Sequence, residues 1–240
     1  MNMMPSPPPR TPMINAPASI IGLIIAFVLV HLWQEASPEN QDSLLLWFSY
    51  LTFRADVPAT SGLQQAAAYW TPVTYAFLHG DWTHLILNSL WMLAFGTPIA
   101  RRFGTVRFLI FSALCAIAGA LLYGFMHAGE RNLLIGASAA VSGQLAGAVR
   151  LLYAGGASLG AMGDPRQIRA LSLGELLENR QAMIFLAIWA GLNFIFGAGA
   201  YSMGASSSNI AWESHFGGFF VGLFLFGLLD RKPRARDYFR

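Results

Sequence analysis

Long uncharged runs separated by short charged stretches dominate this chain. Runs without Asp, Glu, Lys or Arg fall at 11–34, 82–100, 108–129, 132–149, 181–212 and 214–229. About 20 apolar residues are needed to cross a bilayer as a helix. The 181–212 run is too long for one crossing, and its "GAGAYSMGASSSN" (197–209) has the glycines and serines of a loop. The pattern therefore predicts six spans, roughly 16–34, 81–100, 107–128, 133–153, 181–197 and 209–229. The 198–208 loop, with Tyr201 and Met203, is expected to act as a mobile cap.

Two rival segments are weaker. "SLLLWFSYLTF" (43–53) has only eleven residues, too few to span, and its aromatics suit a lipid–water interface. Residues 57–80 are uncharged, but Pro58, Ser61, Gln64, Gln65 and Pro72 make a poor spanning helix. The expectation is one long first extracytoplasmic loop, 35–80, partly folded into the interface. The proline-rich 1–15 reads as a disordered tail, 16–229 as the membrane domain and 230–240 as a basic tail.

Composition agrees with a membrane protein. Of 240 residues 55% are hydrophobic and 11% charged, against about 25% charged in a soluble domain. The single cysteine, Cys115, offers no disulfide within one chain. Charge then sets orientation. Arg10, Arg101, Arg102, Arg107, Arg150, Arg166, Arg169, Arg180, Arg231, Lys232, Arg234, Arg236 and Arg240 fall on one side of the predicted spans, and only Arg54 and Arg131 on the other. The positive-inside rule puts the richer side, with both termini, in the cytoplasm. The basic charge is a topology signal, and no nucleic-acid partner is expected.

The second, fourth and sixth spans then all descend from the outer surface. Each carries a polar group near its start: His84 and Asn88, Ser138, and His215. At about 1.5 Å per residue, His84, Ser138 and His215 lie roughly 5–10 Å below the outer rim. His84 and Asn88 are four apart and share a helix face. A lone Asn or Ser in a span is usually an interhelical hydrogen bond, but several polar groups at one depth point to use. A serine hydroxyl becomes nucleophilic when imidazole takes its proton, and fixed donors stabilise the resulting oxyanion. Asn88 and a protonated His84 nitrogen can donate. The set fits acyl transfer at a watered site.

Gly143-x3-Gly147 and Gly218-x3-Gly222 are small-residue faces on the fourth and sixth spans. Packed together, they bring Ser138 and His215 side by side. His31 and His127 have no motif around them and read as interfacial anchors. Glu213, two residues before His215, falls on nearly the opposite helix face and reads as an interface charge. Ser142 reads as packing.

"TYAFLHGDWTHLILNSLWM" (74–92), "GASAAVSG" (136–143) and "SHFGGFFVG" (214–222), with "WTPVTYAFLH" and "FGTPIARRFG", resemble the rhomboid family of intramembrane serine proteases, bacterial type with six transmembrane helices. The likeness covers roughly residues 70–229. It implies an all-α six-helix bundle and a Ser–His dyad with Ser138 as nucleophile and His215 as base and acid. The oxyanion hole would come from His84, Asn88 and the Ser138 N–H, with His79 as a positioning residue. It implies transmembrane protein substrates within the lipid bilayer, no metal or other cofactor, and a multi-pass position in a bacterial inner membrane. Many family members have glycine after the nucleophile where this chain has Ala139. That departure motivates a second reading, a non-catalytic binder of transmembrane helices. A third, a transporter or metal carrier using His79, His84 and His215, is disfavoured because His79 and His84 are five apart and face different ways.

Overall fold

A computed structural model of the chain describes residues 16–52, 66–154, 164–202 and 211–230. It is mostly helical. Helix α1 is Ala18–Ala36, and α2, Pro38–Phe48, follows after a single residue. That residue, Ser37, caps α2 by accepting a hydrogen bond from the Asn40 N–H at 3.1 Å. The expected first loop is thus partly helical, and α2 covers the "SLLLWF" segment. Strand β1, Tyr50–Leu51, comes next, and the short α3 is Thr71–Thr74. Residues 53–65 lie outside the described residues.

Helix α4, Trp82–Trp91, starts where the Asp81 carboxylate accepts the His84 N–H at 2.8 Å. It runs through a π turn, Met92–Gly96, into α5, Thr97–Phe103. Gly104, with φ of +74°, then reverses the chain into α6, Thr105–Met126. Strand β2, Leu133–Leu134, pairs antiparallel with β1, with Tyr50 opposite Leu134. Helix α7 is Ser138–Leu152, α8 Leu173–Glu178, α9 Arg180–Ser202 and α10 Trp212–Leu229.

Two expected boundaries move. The fourth span begins at Ser138 and not at 133, because Leu133 and Leu134 are held in the strand pair and Gly136 adopts φ of +107°. That angle is far from the helical φ of about −63°, so the helix cannot run back through Gly136. The fifth helix continues through Ser202, so the 198–208 segment is not a loop from its start. Residues 203–208 of that expected cap lie outside the described residues, as do the 1–15 and 231–240 tails.

Among the described residues three helices are long and apolar enough to cross a membrane: α1, α6 and α10. Large apolar side chains such as Leu29, Leu90, Val106, Ile188 and Phe224 are exposed around the bundle. A soluble protein rarely leaves so much apolar surface open. The interior differs. Helix α7 is buried at every position from Ala139 to Leu152, and α10 packs along both α6 and α7.

Close approach at this three-helix contact rests on small residues. A Cβ at Gly222 would strike the Gly143 backbone, and one at Gly218 the Ala139 backbone. Gly217 meets the Ala118 carbonyl, while Gly119 faces the Ala139 side chain and the Ser214 carbonyl. The Gly143 and Gly218–Gly222 faces do interlock as expected. Gly147 instead makes room for Phe226 and Ile99. The cost of thinning the apolar bulk is offset by backbone-to-backbone contact, which is how helices associate where lipid removes the hydrophobic drive.

The 164–178 end is tied in by two arginines. Arg102 forms an ion pair with Asp230 (Nε–Oδ1 2.5 Å) and also donates to the Pro165 and Ile168 carbonyls. Arg150 donates to Leu171 O at 2.8 Å and Leu223 O at 3.0 Å, and lies over the Phe226 ring.

Candidate active site

Ser138 opens α7 immediately after Gly136, whose φ is positive, and the turn residue Ala137. At that position its N–H belongs to the first turn, where backbone donors have no helical acceptor. The side chains of Ser138, Asn88 and His215 border one cavity of about 470 Å³. Most of the wall is apolar, from Leu87, Trp91, Phe185, Ile188 and Leu192. A mainly apolar hollow with a few convergent polar groups is the usual form of a ligand site. Ser138 and His215 are each half-buried by exposed area.

His84 is not among the residues that line this cavity; it lies beside Gly136, two residues before Ser138. A Cβ on Gly136 would lie 2.6 Å from His84 Cε1 and Nε2, and 3.7 Å from Asn88 Nδ2. The Gly80 N–H donates to His84 Nδ1 at 3.4 Å. An Nδ1 that accepts leaves the ring proton on Nε2, the nitrogen facing Gly136. Asn88, 4% exposed, donates one Nδ2 proton to the His84 carbonyl at 3.2 Å. Among the described residues no partner is recorded for its other proton. His79 is fully buried, and its ring packs edge-on against His84 with centroids 5.1 Å apart. It also contacts the Phe27 ring.

His215 hydrogen-bonds through Nδ1 to Asn193 Oδ1 at 2.5 Å. Among the described residues no direct hydrogen bond joins Ser138 to His215; the two share the cavity wall. Sequence reasoning missed Asn193. The available signal was a carboxamide in an otherwise apolar span, the same signal that drew attention to Asn88.

Ala139 is the second residue of α7, and among the described residues no residue other than glycine has positive φ. Alanine there is a good helix former and carries no strain. Ser142 is buried one turn further along and also borders the cavity.

The residues set aside behave in two ways. His31 is buried, 3.6 Å from Glu35, and packs edge-on against Trp82. Glu213 is buried and turned away from His215. His127 Nε2 lies 3.3 Å from it, and His127 Nδ1 lies 2.7 Å from Glu130. That pairing fastens the N-terminal end of α10 to the turn after α6. Among the described residues there is no group of three His, Cys, Asp or Glu side chains placed to hold a metal ion.

Apolar helices interlocked through glycine, three of them long and apolar enough to cross a membrane, define a helical integral membrane protein. The family comparison agrees: the Rhomboid domain matches residues 66–232, and the chain belongs to the rhomboid family. It is 35% identical over 130 residues to a protein named Rhomboid-like protease 3 from Toxoplasma gondii. That match covers 54% of this chain and 44% of the relative, so the chain spans less than half of that protein's length.

Proposed function

We propose that the protein is an intramembrane serine endopeptidase that cleaves membrane-anchored proteins in or near a transmembrane segment. The observation that carries this reading is the shared cavity of Ser138, His215 and Asn88 in a rhomboid-family chain. In this reading Ser138 Oγ attacks the scissile carbonyl carbon while the His215 imidazole takes the hydroxyl proton. The C–N bond of the tetrahedral intermediate breaks as His215 returns that proton to the leaving amine. Water, with His215 again as base, then hydrolyses the acyl-enzyme.

Negative charge on the carbonyl oxygen would be met by the Ser138 N–H, by Asn88 Nδ2 and by His84 Nε2. The hydrogen bond from Gly80 supports the last assignment, because it leaves the His84 proton on the nitrogen near Gly136. Donors of this kind are typically worth about 2.7–4 kcal/mol each. His79 would act through His84, holding its ring in place by packing.

The rest of the reading concerns the membrane. Helices α1, α4–α5, α6, α7, α9 and α10 would form six spans with both termini cytoplasmic, as the arginine distribution favours. A bacterial inner membrane is the proposed location. The non-catalytic alternative drew its motive from Ala139, which the helical backbone accommodates without strain.

The test is cleavage of a single-span substrate by purified protein in liposomes. Ser138→Ala and His215→Ala are each expected to abolish cleavage, and Ser142→Ala to leave it largely intact. Full cleavage by the Ser138 variant would defeat the proposal.

A further inference from the structure

We infer that Asn193 is a positioning residue for His215, fixing which ring nitrogen carries the proton and therefore which is free to act as base. The inference rests on the proposed Ser138–His215 dyad and names a third residue for it, supplied by α9.

The direction of each hydrogen bond follows from the chemistry of the partners. Asn193 Nδ2 lies 2.7 Å from the Trp189 carbonyl oxygen. A carbonyl only accepts, so the NH₂ side of the amide must face Trp189. Oδ1 is then the atom turned toward His215, at 2.5 Å from Nδ1. An amide oxygen also only accepts, so Nδ1 must carry the proton and Nε2 holds the free lone pair. A neutral imidazole in that tautomer is ready to receive a proton through Nε2 alone.

Packing on both sides holds the pair in register. One turn inward on α9, Trp189 stacks on Phe219 with centroids 4.6 Å apart and contacts Phe216 at 5.4 Å. On the outer side, Phe194 meets Trp212 edge-on at 5.6 Å. A Cβ at Gly197 would strike the Trp212 side chain, so glycine is what lets that indole seat. The antiparallel helices α9 and α10 are thus pinned above and below the Asn193–His215 contact. The general base on α10 takes its orientation from a neighbouring helix and not from an acidic residue, since Glu213 is engaged with His127.

Wild-type, Asn193→Ala, Asn193→Asp and Ser138→Ala proteins, reconstituted in liposomes with a single-span substrate, separate the possibilities. Asn193→Ala is expected to lower kcat roughly 10- to 100-fold with KM changed less than about 2-fold. Asn193→Asp, which keeps an acceptor oxygen at the same reach, is expected to recover most of the loss. Independently, ¹⁵N NMR of the five histidines, with His215 assigned by its loss in His215→Ala, should show the wild-type ring protonated at Nδ1. In Asn193→Ala the signal should move toward the Nε2–H form. Unchanged kcat in a folded Asn193→Ala protein, or an Nε2-protonated His215 in the wild type, would overturn the inference. If Asn193→Ala does not fold, the wild-type tautomer alone decides. An active Ser138→Ala protein would instead sink the dyad, whatever the His215 tautomer.

Discussion

Gly136 and His84 are in contact across two helix starts: a Cβ on the glycine would lie 2.6 Å from the imidazole. The glycine also holds φ at +107°, a conformation L residues resist. One residue without a side chain therefore meets two requirements, turning the chain into α7 and leaving room for the ring beside Ser138. Gly136→Ala is expected to lower the cleavage rate at least about 10-fold, because displacing one oxyanion donor alone costs that much or more. Cleavage assays on the folded variant check it; wild-type turnover would count against the role of His84.

Gly218 meets the backbone of Ala139, which cannot rotate aside as a side chain can. Gly218→Ala should destabilise by about 1–3 kcal/mol through overpacking. Gly22 on α1 has open space where a Cβ would go. There Gly22→Ala should be neutral or stabilising by up to about 1 kcal/mol, by lowering backbone entropy in the helix. Thermal unfolding in one detergent compares the two, and equal shifts would show that the small-residue face is not what holds α7 to α10.

The Arg102 side chain is 4% exposed and serves three partners: the Asp230 carboxylate and two carbonyls of the 164–168 segment. Arg102→Ala leaves all three short of a donor and is expected to cost about 3–5 kcal/mol. Asp230→Ala leaves the carbonyl contacts and should cost less. Denaturation of both variants orders them.

Helix α8 carries a capping box in which Ser172 and Glu175 satisfy each other's backbone N–H. The Arg169 guanidinium bonded to Glu175, with the Ser172 N–H, holds its carboxyl down at about 2. A carboxyl depressed on folding stabilises above the ordinary carboxylate range, and that contribution is lost as pH falls toward 2. Amide protection factors across α8 should therefore be constant from neutral pH to about pH 5 and decline below it. Glu175→Gln should remove the pH dependence and lower protection at neutral pH.

Much of the site was legible because lipid makes polar residues conspicuous. Ser138, His84, Asn88 and His215 stood out as polar groups at one depth, and the glycine spacing suggested which helices meet. Hydropathy could not reveal the start of α7. Leu133 and Leu134 are as apolar in a strand as in a helix, and their pairing with Tyr50 and Leu51 is a contact across more than eighty residues. The π turn at Met92–Gly96 has no marker in the apolar pattern either. Glycines and serines after 197 suggested a loop, yet the helix continues to Ser202, and Gly197 is there to admit Trp212. Asn193 was passed over because it stands alone in its span; its partner comes from another helix and only the fold brings them together.

Labelling with a fluorophosphonate probe, followed by mass spectrometry of the modified peptide, tests most directly whether the cavity holds an activated serine. The adduct is expected on Ser138 in the wild-type protein, and is expected to vanish in His215→Ala. An adduct on Ser142, or none on folded wild-type protein under conditions that label a control serine hydrolase, would contradict it.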